Sequence, residues 1–244
     1  MYHVVIPARF GSTRLPGKAL ADIAGHPMVY WVWQRAQACQ AESVVVATDH
    51  DDIAEVMRHY GADVAMTRAD HPSGTDRLAE VAEQRGWADD TVIVNLQGDE
   101  PLMPAVNVEQ VAVALSENPS ASIATLSEPL ASDADLDNPA VVKVVASASG
   151  RALYFSRAPI PYPRSGTLDD SARRHIGLYA YRCGFLRRYT QWAPAPLERL
   201  ESLEQLRALH HDEWIQVEQA KAPVPAGVDT PEDLEAVRRI LGAD

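Results

Sequence analysis

The sequence predicts an α/β fold with a central, mostly parallel sheet, and three observations carry that expectation. Apolar runs of strand length alternate with helical patterns through the first half, as in successive βα units. The clearest run, "TVIVNLQGDEP", ends at Asn95 and gives way at once to polar residues. After Ser120 several extended segments lie between proline-rich and polar breaks, the style of a mixed or antiparallel extension.

Taken in order, Val4–Pro7 is the first expected strand, and Pro27 opens a helix that runs to about Cys39. Ser43–Thr48 is the second strand, followed by "DHDDIAEVMRHYG", a helix closed by Gly61. The short extended piece Asp63–Thr67 precedes "HPSGTDRLAEVAEQRG", where Ser73 or Thr75 can cap another helix. Pro104 to Ser116 reads as the next helix. "SIATLS", "VVKVVAS", "RALYFSRAPIPYP" and "HIGLYAYR" read as strands, and helices are expected at about Gly184–Trp192 and Leu197–His211. A strand "EWIQVEQ" and a helix from Pro231 end the chain. With no repeat, low-complexity tract or linker, residues 1–244 read as one domain with a mid-chain lobe at about 120–215.

Composition narrows the class. At 46% hydrophobic and 23% charged, the 244 residues are those of an ordinary globular protein. A formal net charge of −12 argues against a nucleic-acid partner, because phosphate-backbone affinity rests on clustered Lys and Arg. No run approaches the ~20 apolar residues of a membrane span, so no membrane insertion is expected. Cys39 and Cys183 lie far apart without CxxC spacing, which points to reduced thiols and an intracellular, cytoplasmic protein.

Against that acidic background, "VVIPARFGSTRLPGKAL" places Arg9, Arg14 and Lys18 on one glycine-punctuated loop, in a chain whose other lysines are Lys143 and Lys221. The loop resembles a phosphate-binding P-loop and departs from it. Five residues rather than four separate Gly11 from Gly17, and Ala19 stands where a magnesium-binding hydroxyl is required. Its residues fit either a phosphate cradle of backbone N–H groups and cations or a solvated surface loop. Asp49 and the "QGDEP" acids Asp99 and Glu100 fall at the carboxyl ends of predicted strands, where open parallel sheets bind ligands. Near the end, Thr230 caps a helix with Pro231 at its first position, which leaves the Asp229 carboxylate for another task. His175 and Tyr179 share one face of a strand, where core packing is the default. Arg157 at a strand end fits an anion clamp or a surface charge.

Together "STRLPGK", "VVVATDHDDI", "TRADHPSGTDRLAEV", "QGDEP", "ALYFSRAPIP", "HIGLYAYR", "LERLESLEQLR" and "GVDTPEDLEAVR" cover nearly the whole chain in an order that resembles the 3-deoxy-manno-octulosonate cytidylyltransferase (CMP-KDO synthetase) family. Phe10-Gly11 in place of a common Tyr-Ala is a minor departure. The resemblance implies a Rossmann-like nucleotide-diphospho-sugar transferase fold, a homodimer formed through the mid-chain lobe, and a cytoplasmic role in lipopolysaccharide biosynthesis. It implies transfer of CMP from CTP to 3-deoxy-manno-octulosonate (KDO), with magnesium as cofactor. Asp99 and Asp229 would hold the metal, and Arg9 and Lys18 would act on the triphosphate. Ala8, Gly11, Ser12, Thr13, Arg14, Ser73 and Gln97 would complete the nucleotide site. Gln97, Arg157, His175, Tyr179, Glu204 and Gln205 would line the sugar-acid pocket. An 8-amino-KDO or sialic-acid cytidylyltransferase, and an inactive nucleotide-binding scaffold, are the competing readings.

Overall fold

The computed structural model describes residues 1–11, 15–164, 166 and 171–242. The first strand, β1 (Tyr2–Pro7), shows why the sheet must be covered on both sides. Val4 and Ile6 pack into one apolar cluster and Val5 into another, and all three are fully buried. A run apolar at every position is what a doubly covered parallel strand requires.

A short 3-10 turn (Lys18–Leu20) and a small hairpin of β2 (Asp22–Ile23) and β3 (His26–Pro27) lead into α1 (Met28–Gln37). Then come β4 (Ser43–Thr48), α2 (Asp51–His59), β5 (Asp63–Met66), α3 (Gly74–Gln84), β6 (Val92–Asn95) and α4 (Ala105–Glu117). The second half comprises β7 (Ile123–Pro129), a short α5 (Asp133–Asp137), β8 (Lys143–Ala146), β9 (Ala152–Ser156) and the long β10 (Arg173–Arg182). It closes with α6 (Cys183–Tyr189), α7 (Pro196–Glu201), α8 (Gln205–His210), β11 (Ile215–Gln219) and α9 (Pro231–Leu241).

The main sheet runs β11-β7-β10-β6-β1-β4-β5, with the β8–β9 hairpin attached to β10. Strands β6, β1, β4 and β5 are mutually parallel. β10 enters antiparallel between β6 and β7, and β11 pairs parallel with β7. The expected mid-chain change of style is therefore the arrival of an antiparallel strand beside the parallel half. Helices α1, α2 and α4 cover one face and α3, α6 and α8 the other.

The capping signals work as read. Ser73 Oγ accepts from the Asp76 N–H at the start of α3. Thr230 and Asp233 form a capping box at α9, with Pro231 at its first position. One expectation fails. The single helix over Leu197–His211 is two helices, broken at Ser202, which takes a left-handed φ of 53°. Ser is an uncommon residue in that conformation, so "LERLESLEQLR" carries no Gly or Pro to announce the break. α5 also lacks an apolar periodicity that would announce it.

Two glycines bring the site together. Gly17, at φ +70°, turns the loop after β1 into the 3-10 turn that starts with Lys18. Gly98 lies where the chains leaving β6 and β1 meet, and a Cβ there would stand 2.7 Å from the Pro7 carbonyl oxygen. Only hydrogen fits that gap, so "QGD" can pass beside "PAR".

Candidate active site

Beyond the carboxyl ends of β1 and β6 lies a cleft with two cavities, of about 340 and 370 Å³. The larger abuts β10 and the α7–α8 turn, the smaller the loop after β1. Arg9, Ser73, Gly74 and Gln97 line both, so the two open onto each other. Each has the size of a small-molecule site.

Ala8, Arg9, Gly11, Lys18, Ser73, Gln97, Asp99 and Asp229 all line the smaller cavity. Ser12, Thr13 and Arg14 lie outside the described residues. The Lys18 ammonium donates to Asp99 Oδ2 at 2.7 Å, to the Val228 carbonyl at 2.9 Å and to Asp229 Oδ1 at 3.2 Å. The Asp229 carboxylate, uncommitted in the local sequence, is thus paired with a lysine 211 residues away.

The segment before α9 is carried to this position by side chains that grip its backbone. Asn107 bonds both the N–H and the carbonyl of Ala222, and Gln110 accepts from the Lys221 N–H. Glu128 accepts from the Val224 N–H, while Arg174 donates to its carbonyl. The Val228 N–H then meets the Asp99 carbonyl at 2.9 Å.

Burial, with the Asp99 carboxylate as the next contribution, pushes the neighbouring Glu100 carboxyl up to about 8. Asp99 and Asp229 are the two acids that pair with Lys18. Two carboxylates around one ammonium, both partly open to solvent, suit a hard divalent cation that keeps water and phosphate oxygens in its shell. Among the described residues no cluster of three or more His, Cys, Asp or Glu offers an all-protein cage.

Arg77 also lines the smaller cavity, and Asp49 stands behind it. Arg77 is 3% exposed and donates to Asp49 Oδ2 at 2.9 Å and to Thr67 Oγ1. Asp49, predicted near the ligand crevice, serves to hold Arg77. Arg77 itself escaped the sequence reading, because an arginine inside a helical pattern looks like a solvated charge.

In the larger cavity Gln97, Tyr179, Glu204 and Gln205 are brought together as expected, with Asn95, Thr75, Gly177, Tyr181 and Ser202. Thr75 Oγ1 donates to Glu204 at 3.1 Å, and burial raises the Glu204 carboxyl. Burial also pushes the Tyr179 hydroxyl well above its ordinary range, so it stays a neutral donor and acceptor.

Two residues expected here lie outside the lining. The Arg157 guanidinium donates to the carbonyls of Glu201, Pro139 and Ser202, bracing the α7–α8 turn from behind. His175 sits beneath Tyr179, its ring 5.3 Å away, and shares a 3.1 Å hydrogen bond with Thr125. Burial lowers its imidazole to about 3, which leaves it neutral. It packs the floor and carries no charge for an anion.

A cavity-lining loop with a lysine, a carboxylate pair and an adjoining polar cavity is what transfer of a nucleotide to a polyhydroxylated acceptor needs. The sequence matches the cytidylyltransferase family over residues 3–215. The chain belongs to that family. Its relatives include a cytidylyltransferase of Yersinia pseudotuberculosis serotype O:1b (strain IP 31758), described as 3-deoxy-manno-octulosonate cytidylyltransferase. The two are 56% identical, over 97% of this chain and 97% of the relative. A solved structure described as CMP:2-keto-3-deoxy-manno-octonic acid synthetase complexed with CTP superposes with a TM-score of 0.93. It is 42% identical, over 100% of this chain and 99% of that one. A cytidylyltransferase from Leptospira borgpetersenii serovar Hardjo-bovis (strain JB197) shares the fold at a TM-score of 0.64, with 17% identity over 100% of this chain and 87% of that one.

Proposed function

We infer that this cytidylyltransferase transfers CMP from CTP to the anomeric hydroxyl of KDO and releases pyrophosphate. The observation that carries the reading is the pair of cavities joined through Arg9, Ser73, Gly74 and Gln97. The names of the relatives at 56% and 42% identity support the same substrates.

The reaction is an in-line displacement, in which the anomeric oxygen bonds to the α-phosphorus while the bond to the β-phosphate bridge breaks. Little covalent work falls to the protein, so orientation and charge stabilisation dominate. Arg9 spans both cavities and is suited to hold the α-phosphate and the sugar carboxylate together. Lys18 supplies charge to the triphosphate, and Ser73 with neighbouring backbone groups borders the base. Gln97, Tyr179, Glu204 and Gln205 offer neutral or accepting groups to the sugar hydroxyls. Asp99 and Asp229 are the residues to hold magnesium, which when bound neutralises phosphate charge and acidifies the attacking hydroxyl.

The test crosses four nucleoside triphosphates with KDO, 8-amino-KDO, sialic acid and a hexose 1-phosphate, reading pyrophosphate release. CTP with KDO is expected to be fastest. Preference for the sugar 1-phosphate would overturn the acceptor, and CTP binding with no turnover on any acceptor would leave a nucleotide-binding scaffold.

The reading includes a homodimer formed through the mid-chain lobe. Leu153, Tyr162 and Leu200 there are 61%, 80% and 80% exposed, unusual for large apolar side chains. Light scattering is expected to give twice the 26.7 kDa chain mass, and a monomer mass would remove the dimer from the reading.

A further inference from the structure

Asn95 ends β6, with Val5 opposite it on one side and Tyr179 on the other. It is 2% exposed and lines the larger cavity, on the same face of β6 as the core residue Ile93. The three residues before it are Val92, Ile93 and Val94, so an amide here is a departure from an apolar pattern. A buried amide destabilises the fold unless both of its ends are hydrogen-bonded.

Its oxygen end is not. The Asn95 and Thr75 side chains border the Tyr181 hydroxyl. No donor among the described residues reaches Asn95 Oδ1. Exchanging the amide oxygen and nitrogen would leave an unpaired donor instead, and an alcohol satisfies either, since it both donates and accepts. A carboxylate does not satisfy both, and it is drawn to the Arg9 guanidinium at the junction of the cavities rather than to a neutral amide.

We propose that Asn95 is a substrate-binding and specificity residue, whose unpaired amide end takes a non-anomeric hydroxyl of the sugar acid. The proposal rests on the sugar-acid reading of the larger cavity. It assigns a contact to a residue whose place at the end of a strand explains nothing about its chemistry.

The experiment is Asn95→Leu, close in volume and unable to hydrogen-bond, with Asn95→Val substituted for it should the leucine variant melt early. The KM values for KDO and for CTP are measured separately, together with the melting temperature. A set of KDO analogues, each lacking one non-anomeric hydroxyl, is run on wild type and variant.

The KM for KDO is expected to rise roughly tenfold or more, as loss of a hydrogen bond to a substrate hydroxyl does. The KM for CTP should stay unchanged, and the melting temperature should be unchanged or higher. One deoxy analogue should show the same kcat/KM with both proteins, because the contact is already missing from it. An unchanged KM for KDO, or an equal loss on KDO and on every analogue, overturns the proposal. Wild-type protein that is silent on CTP with KDO would instead sink the functional reading beneath it, so the two failures are told apart.

Discussion

Lys18→Ala is expected to lower kcat by roughly 10²–10³, the usual loss for one group that stabilises developing charge. The same ammonium holds Asp99 at 2.7 Å and Asp229 at 3.2 Å, so its removal leaves two carboxylates facing each other beside β6. Both are partly open to solvent, at 32% and 48% exposure, and solvent screens much of their repulsion. The variant should therefore melt only slightly earlier in metal-free buffer. Added magnesium should restore that stability, because a divalent cation replaces the lost positive charge between the carboxylates. It should not restore kcat, because the triphosphate still lacks its lysine. Parallel melting curves and turnover numbers, with and without magnesium, separate the two effects. Early melting with specific activity intact would make Lys18 a structural lysine.

For Asp229→Asn the expected result is a normal melting temperature and loss of most activity. The start of α9 does not depend on this carboxylate, since Thr230, Pro231 and Asp233 supply the cap. The Asp229 backbone N–H, which donates to Asp233 at 3.1 Å, survives the substitution. What changes is the hard anionic ligand, and an amide is a poor replacement for it. Raised magnesium should recover part of the activity. Asp99→Asn should behave alike, and the double variant should be far less than multiplicatively worse, since both side chains serve one assembly. Full activity of Asp229→Asn at low magnesium would take this residue out of the site.

Much of this architecture was legible in the order of residues, for local reasons. β1, β4 and β6 are continuous apolar runs, and Ser73 and Thr230 stand where a cap must stand. "QGDEP" falls at a strand end because Gly98 alone tolerates the Pro7 carbonyl. The failures were long-range. Nothing near Asp229 reveals Lys18, and nothing near Arg157 reveals that three carbonyls on other segments occupy its guanidinium. His175 and Tyr179 do share a strand face as their spacing requires, yet only the packing of Thr125 and Phe155 shows that His175 lies beneath the cavity lining. Asn95 hid for the opposite reason, because a polar residue after three apolar ones reads simply as a strand that stops.

The antiparallel strand β10 separates two kinds of inheritance. Its residues His175, Gly177, Tyr179 and Tyr181 look toward the larger cavity or support its floor, while Ile176, Leu178 and Ala180 are locked into the opposite core. Side chains alternate along a strand, so the two sets never share a position. Pairing with β7 holds Arg173–Ile176 and Tyr179–Tyr181, the latter also paired with β6, and the register shifts between Ile176 and Tyr179. Substitutions at Gly177 and Tyr179 therefore reshape the larger cavity while Ile176, Leu178 and Ala180 keep the opposite core packed, so the cavity can change without the fold being renegotiated.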